Sequence, residues 1–182
     1  SSDLAHVVRC FVDDNVVHVA GKVDPVSDIE VIHTELALAD LATVEKAAAR
    51  ASGKAKSGDK ESIKLTSLLE RVRAHLDAGK PARSIALDDG DAKLIQPLCL
   101  LTMKPTIYVA NVAEGGFNDN PLLDRVRTLA KAEGAPVLPV CASLEAEIAE
   151  LSDDDKRVFL ADLGLTEPGL DRLIRAAFGL LG

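Results

Sequence analysis

The polar and apolar positions along the chain alternate between two kinds of pattern. Residues 4–12 (LAHVVRCFV) form a short, mostly apolar run rich in β-favouring types, the signature of a buried strand. Asp13 and Asp14 end it, and Gly21 and Pro25 mark a loop. From Ile29 the spacing turns helical, with Ile29, Ile32, Leu36, Ala39 and Val44 on one stripe. Ser27 or Asp28 is the expected cap. The helix is expected to run to Gly53, where GKAKSGDK, with its two glycines and three lysines, reads as a polar turn. A second helix follows over residues 61–76, with Ile63, Leu65, Leu68, Leu69, Val72 and Leu76 as its stripe. Gly79 and Pro81 stop it. Two helices of similar length around a short turn predict an antiparallel hairpin. Its stretch LALADL is expected to pack between the hairpin and the sheet, with a partner-binding face as the alternative.

Beyond the hairpin the pattern shortens. Asp88 or Asp89 caps a brief helix that Pro97 must kink or end. Residues 106–110 read as a second buried strand, and Asn120-Pro121 as cap and first position of a helix closed by Gly134. Residues 136–141 (PVLPVC) read as a third strand, where Pro139 cannot donate to a ladder and so requires an edge. Three more helices follow, over 143–151, 153–163 and 167–181, with Ser152 and Thr166 as caps for the last two. Strands separated by helices predict a mainly parallel sheet. The fold class is α/β: a partial parallel sheet interrupted by an antiparallel helical hairpin. The expected boundaries are 1–24 with 98–182 for the sheet domain and 25–97 for the insertion.

Composition narrows the picture. The 182 residues are 47% apolar with four Phe, one Tyr and no Trp, so the core must be aliphatic. With a net charge of -8 the chain as a whole should repel nucleic acid and anionic lipid, and it carries no direct nucleic-acid signal; a local basic face stays open, but the charge balance gives no sign of one. No apolar run approaches the ~20 residues of a membrane span. Cys10, Cys99 and Cys141 show no C-x-x-C spacing and read as three buried thiols of a reducing, cytoplasmic compartment. His6, His18, His33 and His75 lack paired metal spacing, and Asp153-Asp154-Asp155 suits a helix's first turn better than a metal. The opening Ser1-Ser2, in place of Met, is what an excised piece would show.

Candidate chemistry sits where strands end. In an open parallel sheet, ligands bind beyond the carboxyl ends of the strands. Asn111-Val112-Ala113-Glu114 follows the second strand, and Ala142-Ser143 follows the third. If those strands are neighbours, both loops share a rim. An Asn amide both donates and accepts, and an ionised Glu only accepts. With backbone N–H groups at 142 and 143, and Val112 over one ring face, that set suits the edge of a purine. The same residues equally suit a plain strand-to-helix turn.

The chain resembles the Obg-like ATPases, the YchF group of P-loop GTPase relatives, over nearly its whole length. The stretches that carry this are HVVRCF, DIEVIHTELALADL (28–41), LTMKPTIYVANVAE (101–114), PVCASLEAEIAEL (139–151) and the closing GLDRLIRAAFGLL. The resemblance implies that N-x-x-E, here Asn111 and Glu114, replaces the usual N-K-x-D and favours ATP over GTP. Cys141, Ala142 and Ser143 match the family's second base-side loop, the hairpin matches its coiled-coil insertion, and the resemblance implies that the sheet domain is the C-terminal part of a nucleotide-binding domain of the G type. It further implies a ribosome-associated parent that binds and hydrolyses ATP, or GTP, with Mg²⁺. These residues contain neither G-x-x-x-x-G-K-[ST] nor a clear D-x-x-G. Phosphoryl transfer needs the phosphates and Mg²⁺ clamped. The chain alone is therefore expected to be inactive, with no catalytic residue and no metal ligand of its own. The rival expectation is a non-enzymatic helical docking module for a protein or ribosomal partner, and a third is a marginally folded piece.

Overall fold

The computed structural model describes residues 3–13, 22–162 and 164–181, without the side chains of 180 and 181. The expectations for Asp14, His18 and Gly21 lie outside those residues. Two compact units divide the chain: residues 1–29 with 105–182, and residues 30–104.

The first unit is built on three parallel strands, β1 (Leu4–Arg9), β2 (Thr106–Asn111) and β3 (Val137–Val140), in the order β1-β2-β3. Arg9, Asn111 and Val140 lie level across the sheet, so the three strands finish together at one edge. β2 is central, which is why its residues 106–110 are all buried. β3 is an edge strand, as Pro139 requires. Alternate residues of a strand face opposite sides. Val8 and Cys10, with Tyr108, Ala110 and Val112, turn to one side and meet Leu123, Val126 and Ala130 of α4 (Pro121–Glu133). Ile29 and Leu144 complete this core. The buried Tyr108 hydroxyl donates to Glu133 at 2.7 Å, so its one polar atom is satisfied. Asn120 caps α4 as expected, accepting from Leu122 N and Leu123 N, and Gly134 closes it at φ +68°.

After β3 come α5 (Ala142–Glu150), α6 (Asp153–Asp162) and α7 (Gly169–Leu181). Ser152 caps α6, accepting from Asp155 N at 3.3 Å. Thr166 does not cap α7, which starts three residues later, after Pro168. Its opening N–H groups at Gly169 and Leu170 donate instead to the two carboxylate oxygens of Glu145 on α5, at 2.6 and 3.1 Å. A cap supplied from another helix leaves no local signature. Leu170, Ile174 and Phe178, four residues apart on α7, are exposed.

The second unit is helical. α1 (Pro25–Ala55) begins in the first unit and α2 (Lys60–Asp77) follows a four-residue turn. The two are unequal, 31 against 18 residues. Pro25 opens α1 instead of marking a loop, and Asp24 is its cap, accepting from Ser27 N at 3.3 Å; neither Ser27 nor Asp28 fills that place. Proline at the first helical position loses no hydrogen bond, which explains the early start. α3 (Asp89–Ile95) is capped by Asp88, and Pro97 ends it in a short 3-10 turn. The core of this unit joins Val44 and Ala51 to Leu68, Leu69, Val72, Leu76, Ala82, Ile95 and Leu100.

The expected α1 stripe is partly wrong. Ile32 is 42% exposed and Ala39 is exposed, whereas Asp40 is 2% exposed. Of LALADL, Ala37 and Leu41 pack in the helical core. The reason is chemical. The Asp40 carboxylate accepts from Leu101 N and Thr102 N, both at 2.7 Å, and from Thr102 Oγ1 at 2.6 Å. Thr102 Oγ1 in turn accepts from Ala82 N at 3.0 Å. A carboxylate is buried here because both its oxygens are satisfied. Periodicity cannot show that.

Of the cysteines, Cys10 and Cys141 are buried, and burial pushes the Cys10 thiol up to about 11. Cys99 is exposed, contrary to expectation: it sits in the left-handed turn (φ 49°) after the Pro97 3-10 turn, which turns it out of the core. Among the described residues no helix is long and apolar enough to cross a membrane.

Candidate functional site

The edge where the strands finish is organised around Asn111. Its backbone carbonyl accepts from Cys10 N at 2.7 Å, which ties β2 to the end of β1. Its side-chain Oδ1 accepts from Ala142 N at 3.1 Å, at the start of α5. Val112 N donates to Val140 O at 2.9 Å, so the Asn111 side chain continues the β2–β3 ladder by one further step. The loops after the second and third strands are thus neighbours, as parallel pairing of those strands demands. With Oδ1 engaged by an N–H donor, the assignment of the amide is fixed by its partner. Nδ2 is left with two donor positions and no hydrogen bond among the described residues.

The next residues make a tight turn. Gly116 N donates to Ala113 O at 2.8 Å, the closing bond of a four-residue turn with Glu114 at its second position. Glu114 is exposed, and its carboxylate meets no cation or donor among the described residues. Gly116 has a steric reason: a Cβ there would lie 3.1 Å from Ala113 O and 3.2 Å from Asn120 Nδ2. Asn120 anchors the loop from the far side, its Nδ2 donating to Gly116 O at 3.0 Å and to Cys10 O at 2.9 Å. The sequence pointed to Asn120 only as a helix cap. Its second role, clamping the turn that carries Glu114 to the end of β1, depends on contacts 110 residues apart.

The six residues singled out from the sequence therefore divide. Asn111, Glu114, Ala142 and Ser143 stand at or near the surface of one rim. Val112 and Cys141 are each 2% exposed and belong to the core under the rim. The Val112 side chain is consequently not offered to a ring face, which corrects the expectation for it; alternation along the strand turns it inward. Cys141 precedes α5 without capping it through its side chain, and its Sγ lies 3.2 Å from Ser143 Oγ. The early N–H groups of a helix lack intrahelical partners, and here Asn111 takes the one at Ala142.

This rim can donate through Asn111 Nδ2 and the Ser143 amide and accept through Glu114. A purine's major-groove edge carries an N7 acceptor in both adenine and guanine. Beside it adenine has an amino donor and guanine a carbonyl acceptor. A donor paired with a carboxylate complements adenine and opposes guanine. Among the described residues no group of three or more His, Cys, Asp and Glu is placed to hold a metal ion. The donor set present does not fit a Mg²⁺ site.

Comparison with known proteins gives a consistent answer. The chain is 55% identical over 178 residues to the ribosome-binding ATPase YchF of Haemophilus ducreyi, covering 98% of this chain and 49% of that protein. It is 47% identical over 182 residues to the protein of the same name from Bacillus subtilis, covering 98% of this chain and 50% of that one. The solved structure of the Schizosaccharomyces pombe YchF GTPase superposes with a TM-score of 0.83 at 25% identity, over 99% of this chain and 50% of that one. No family model matches. The chain spans about half the length of the curated relatives it matches.

Proposed function

We propose that this chain, which matches about half the length of YchF proteins, is part of a protein of that family and forms the base-reading rim of an adenine-nucleotide-binding domain. In this reading Asn111 Nδ2 donates to the purine N7, and the Glu114 carboxylate accepts from the exocyclic amino group of adenine. The amide of Ser143, beside Ala142 and Cys141, donates to a ring nitrogen. Val112 contributes by holding the base of the rim. The helical unit is read as an arm inserted into that domain.

One observation carries the proposal: the Asn111 side-chain oxygen Oδ1 accepts from Ala142 N, which leaves its amide donors on the rim near an exposed, unpaired carboxylate. In the whole protein the reaction is ATP hydrolysis with Mg²⁺, and its phosphate-holding groups lie outside these residues. Relatives carry the name ribosome-binding ATPase, so the partner proposed for this protein is the ribosome, and the compartment is the cytoplasm.

Calorimetric titration with ATP, GTP and AMP tests the base reading. ATP and AMP should bind, with GTP weaker by about tenfold, and Asn111→Ala should lose about tenfold, the worth of one buried hydrogen bond. Glu114→Gln should narrow the ATP-over-GTP preference. Silence with all three nucleotides would sink the proposal and leave a docking arm as the better reading.

A further inference from the structure

The three strands carry a single formally charged side chain between them, Arg9 at the end of β1. In the sheet it is level with Asn111 on β2, and neighbouring strands lie about 4.8 Å apart. Val8 and Cys10 turn into the core against α4, so Arg9 points to the opposite face, the one that carries the Asn111 amide. Arg9 is partly buried, and it forms no ion pair or hydrogen bond among the described residues. From this placement we infer that Arg9 is a second recognition point on the rim: its guanidinium binds the phosphate nearest the sugar of a nucleotide whose base lies on Asn111.

The fold does not account for this side chain. The other arginines of the sheet unit are all engaged. Arg125 is held by Asp24 at 2.9 Å, Arg127 by Asp124 at 3.0 Å and Arg157 by Asp154 at 2.6 Å. Arg175 pairs with Glu167, and Arg172 donates to Pro139 O at 3.2 Å. Arg9 alone is left without an acceptor, in the strand where Val7 and Val8 precede it. Drawing a cation partly out of water without a partner is unfavourable. An anion supplied from outside the chain would offset that cost.

The surroundings fix which part of a nucleotide reaches it. On the β3 side the rim is closed. α5 begins there at Ala142, and α7 lies against β3, since a Cβ on Gly169 would be 3.3 Å from both Val140 methyl groups. On the β1 side the same face is open, with Val7 66% exposed. A base seated on Asn111 and Ser143 therefore sends its sugar and first phosphate toward β1, where Arg9 stands. The forked guanidinium can donate to two oxygens of one phosphate, a geometry that a lysine lacks. The inference rests on the base reading and deepens it, by adding a sugar-phosphate contact made by this chain. The clamp on the reacting phosphates is separate from it.

The test is calorimetric titration of the 182-residue chain with adenosine, AMP and inorganic phosphate, for wild type, Arg9→Gln and Arg9→Lys. AMP should bind wild type at least about tenfold more tightly than adenosine does, the worth of a charge-assisted hydrogen bond. Added salt should shrink that advantage. Arg9→Gln should abolish it while adenosine affinity and melting temperature stay unchanged. Arg9→Lys, which keeps the charge without the fork, should retain part of it. Equal affinities of wild type for AMP and adenosine would overturn Arg9 as a phosphate contact and leave the base reading standing. An AMP advantage that survives Arg9→Gln would do the same. Loss of adenosine binding in both variants would make Arg9 a structural residue, against the inference. Inorganic phosphate bound as tightly as AMP would show a free-anion site unconnected with the nucleotide. AMP binding that depends on Arg9, with adenosine silent, would keep the phosphate contact and remove the base reading. Silence with all three ligands would overturn both.

Discussion

The two units settle their buried polar groups in opposite ways. The sheet unit satisfies its backbone chiefly by strand ladders, and where those run out at the carboxyl ends a side chain, Asn111, adds one more rung. The helical unit uses carboxylates for the same purpose. Asp40 holds the backbone of Leu101 and Thr102, and Asp91 draws Lys64 and Arg71 onto the start of α3. Polar side chains in the helical interior are therefore closed on one another. Those on the sheet rim keep unused donors and acceptors. Donors and acceptors are left over in the first kind of unit because a ladder's end leaves valence unused, whereas a closed network does not.

Removing Asp40 should break this contrast most sharply. Asp40→Ala strands two backbone N–H groups and the Thr102 hydroxyl in a buried setting and should cost about 3 kcal/mol. Urea unfolding measures the loss, and hydrogen exchange should quicken at residues 101 and 102 while β2 keeps its protection. An unaltered midpoint would show that water replaces the carboxylate and that the network is not what closes this unit.

Asn120→Ala is the counterpart in the sheet unit. It removes a helix cap and the clamp on Gly116 and Cys10 together, and about 1–2 kcal/mol should be lost. Asn120→Asp separates the two roles, since it keeps the cap for Leu122 and Leu123 but sets an acceptor against the carbonyls of Gly116 and Cys10. Nucleotide binding should fall further in this variant than its stability does, with calorimetry and thermal melting as the paired readouts.

Acid provides the gentlest probe. The Lys64 and Arg71 cations hold the Asp91 carboxyl below the ordinary carboxylate range. The backbone hydrogen bond from Ser27, with Arg125 beside it at 2.9 Å, lowers Asp24. A carboxyl depressed on folding adds stability above its unfolded pKa of about 4, and that stability is lost as the pH falls through the lower folded value. Melting temperature should therefore decline below pH 4. Asp91→Asn should flatten the part of that decline seen in α3, and Asp24→Asn the part seen at the start of α1. Identical acid profiles for wild type and both variants would mean that neither ion pair is formed in solution.

Much of this architecture could be read from residues near each other in the chain. Asn120-Pro121 with Gly134 bounded α4, Asp88 and Pro97 bounded α3, and Pro139 placed β3 at an edge, because capping, proline geometry and ladder donation are local effects. Asn111 and Glu114 stood out for their position after a buried strand. Three of the misreadings share one origin. The α1 stripe failed at Asp40, the Thr166 cap failed against Glu145, and Val112 was assigned to a ring face when the core claimed it. Each depended on a partner more than ten residues away, or on which side of the sheet the core lay.

The sequence by itself determined the element types, the parallel α/β class, the helical insertion and the pair of loops worth inspecting, since hydrophobic period and turn chemistry act over a few residues. The tertiary structure alone decided that Asn111 joins the ends of all three strands, that Asn120 clamps the Glu114 turn, and that an aspartate belongs inside the helical core. Those outcomes turn on whether a distant donor meets an acceptor in a place closed to water, and only the folded chain brings the two together.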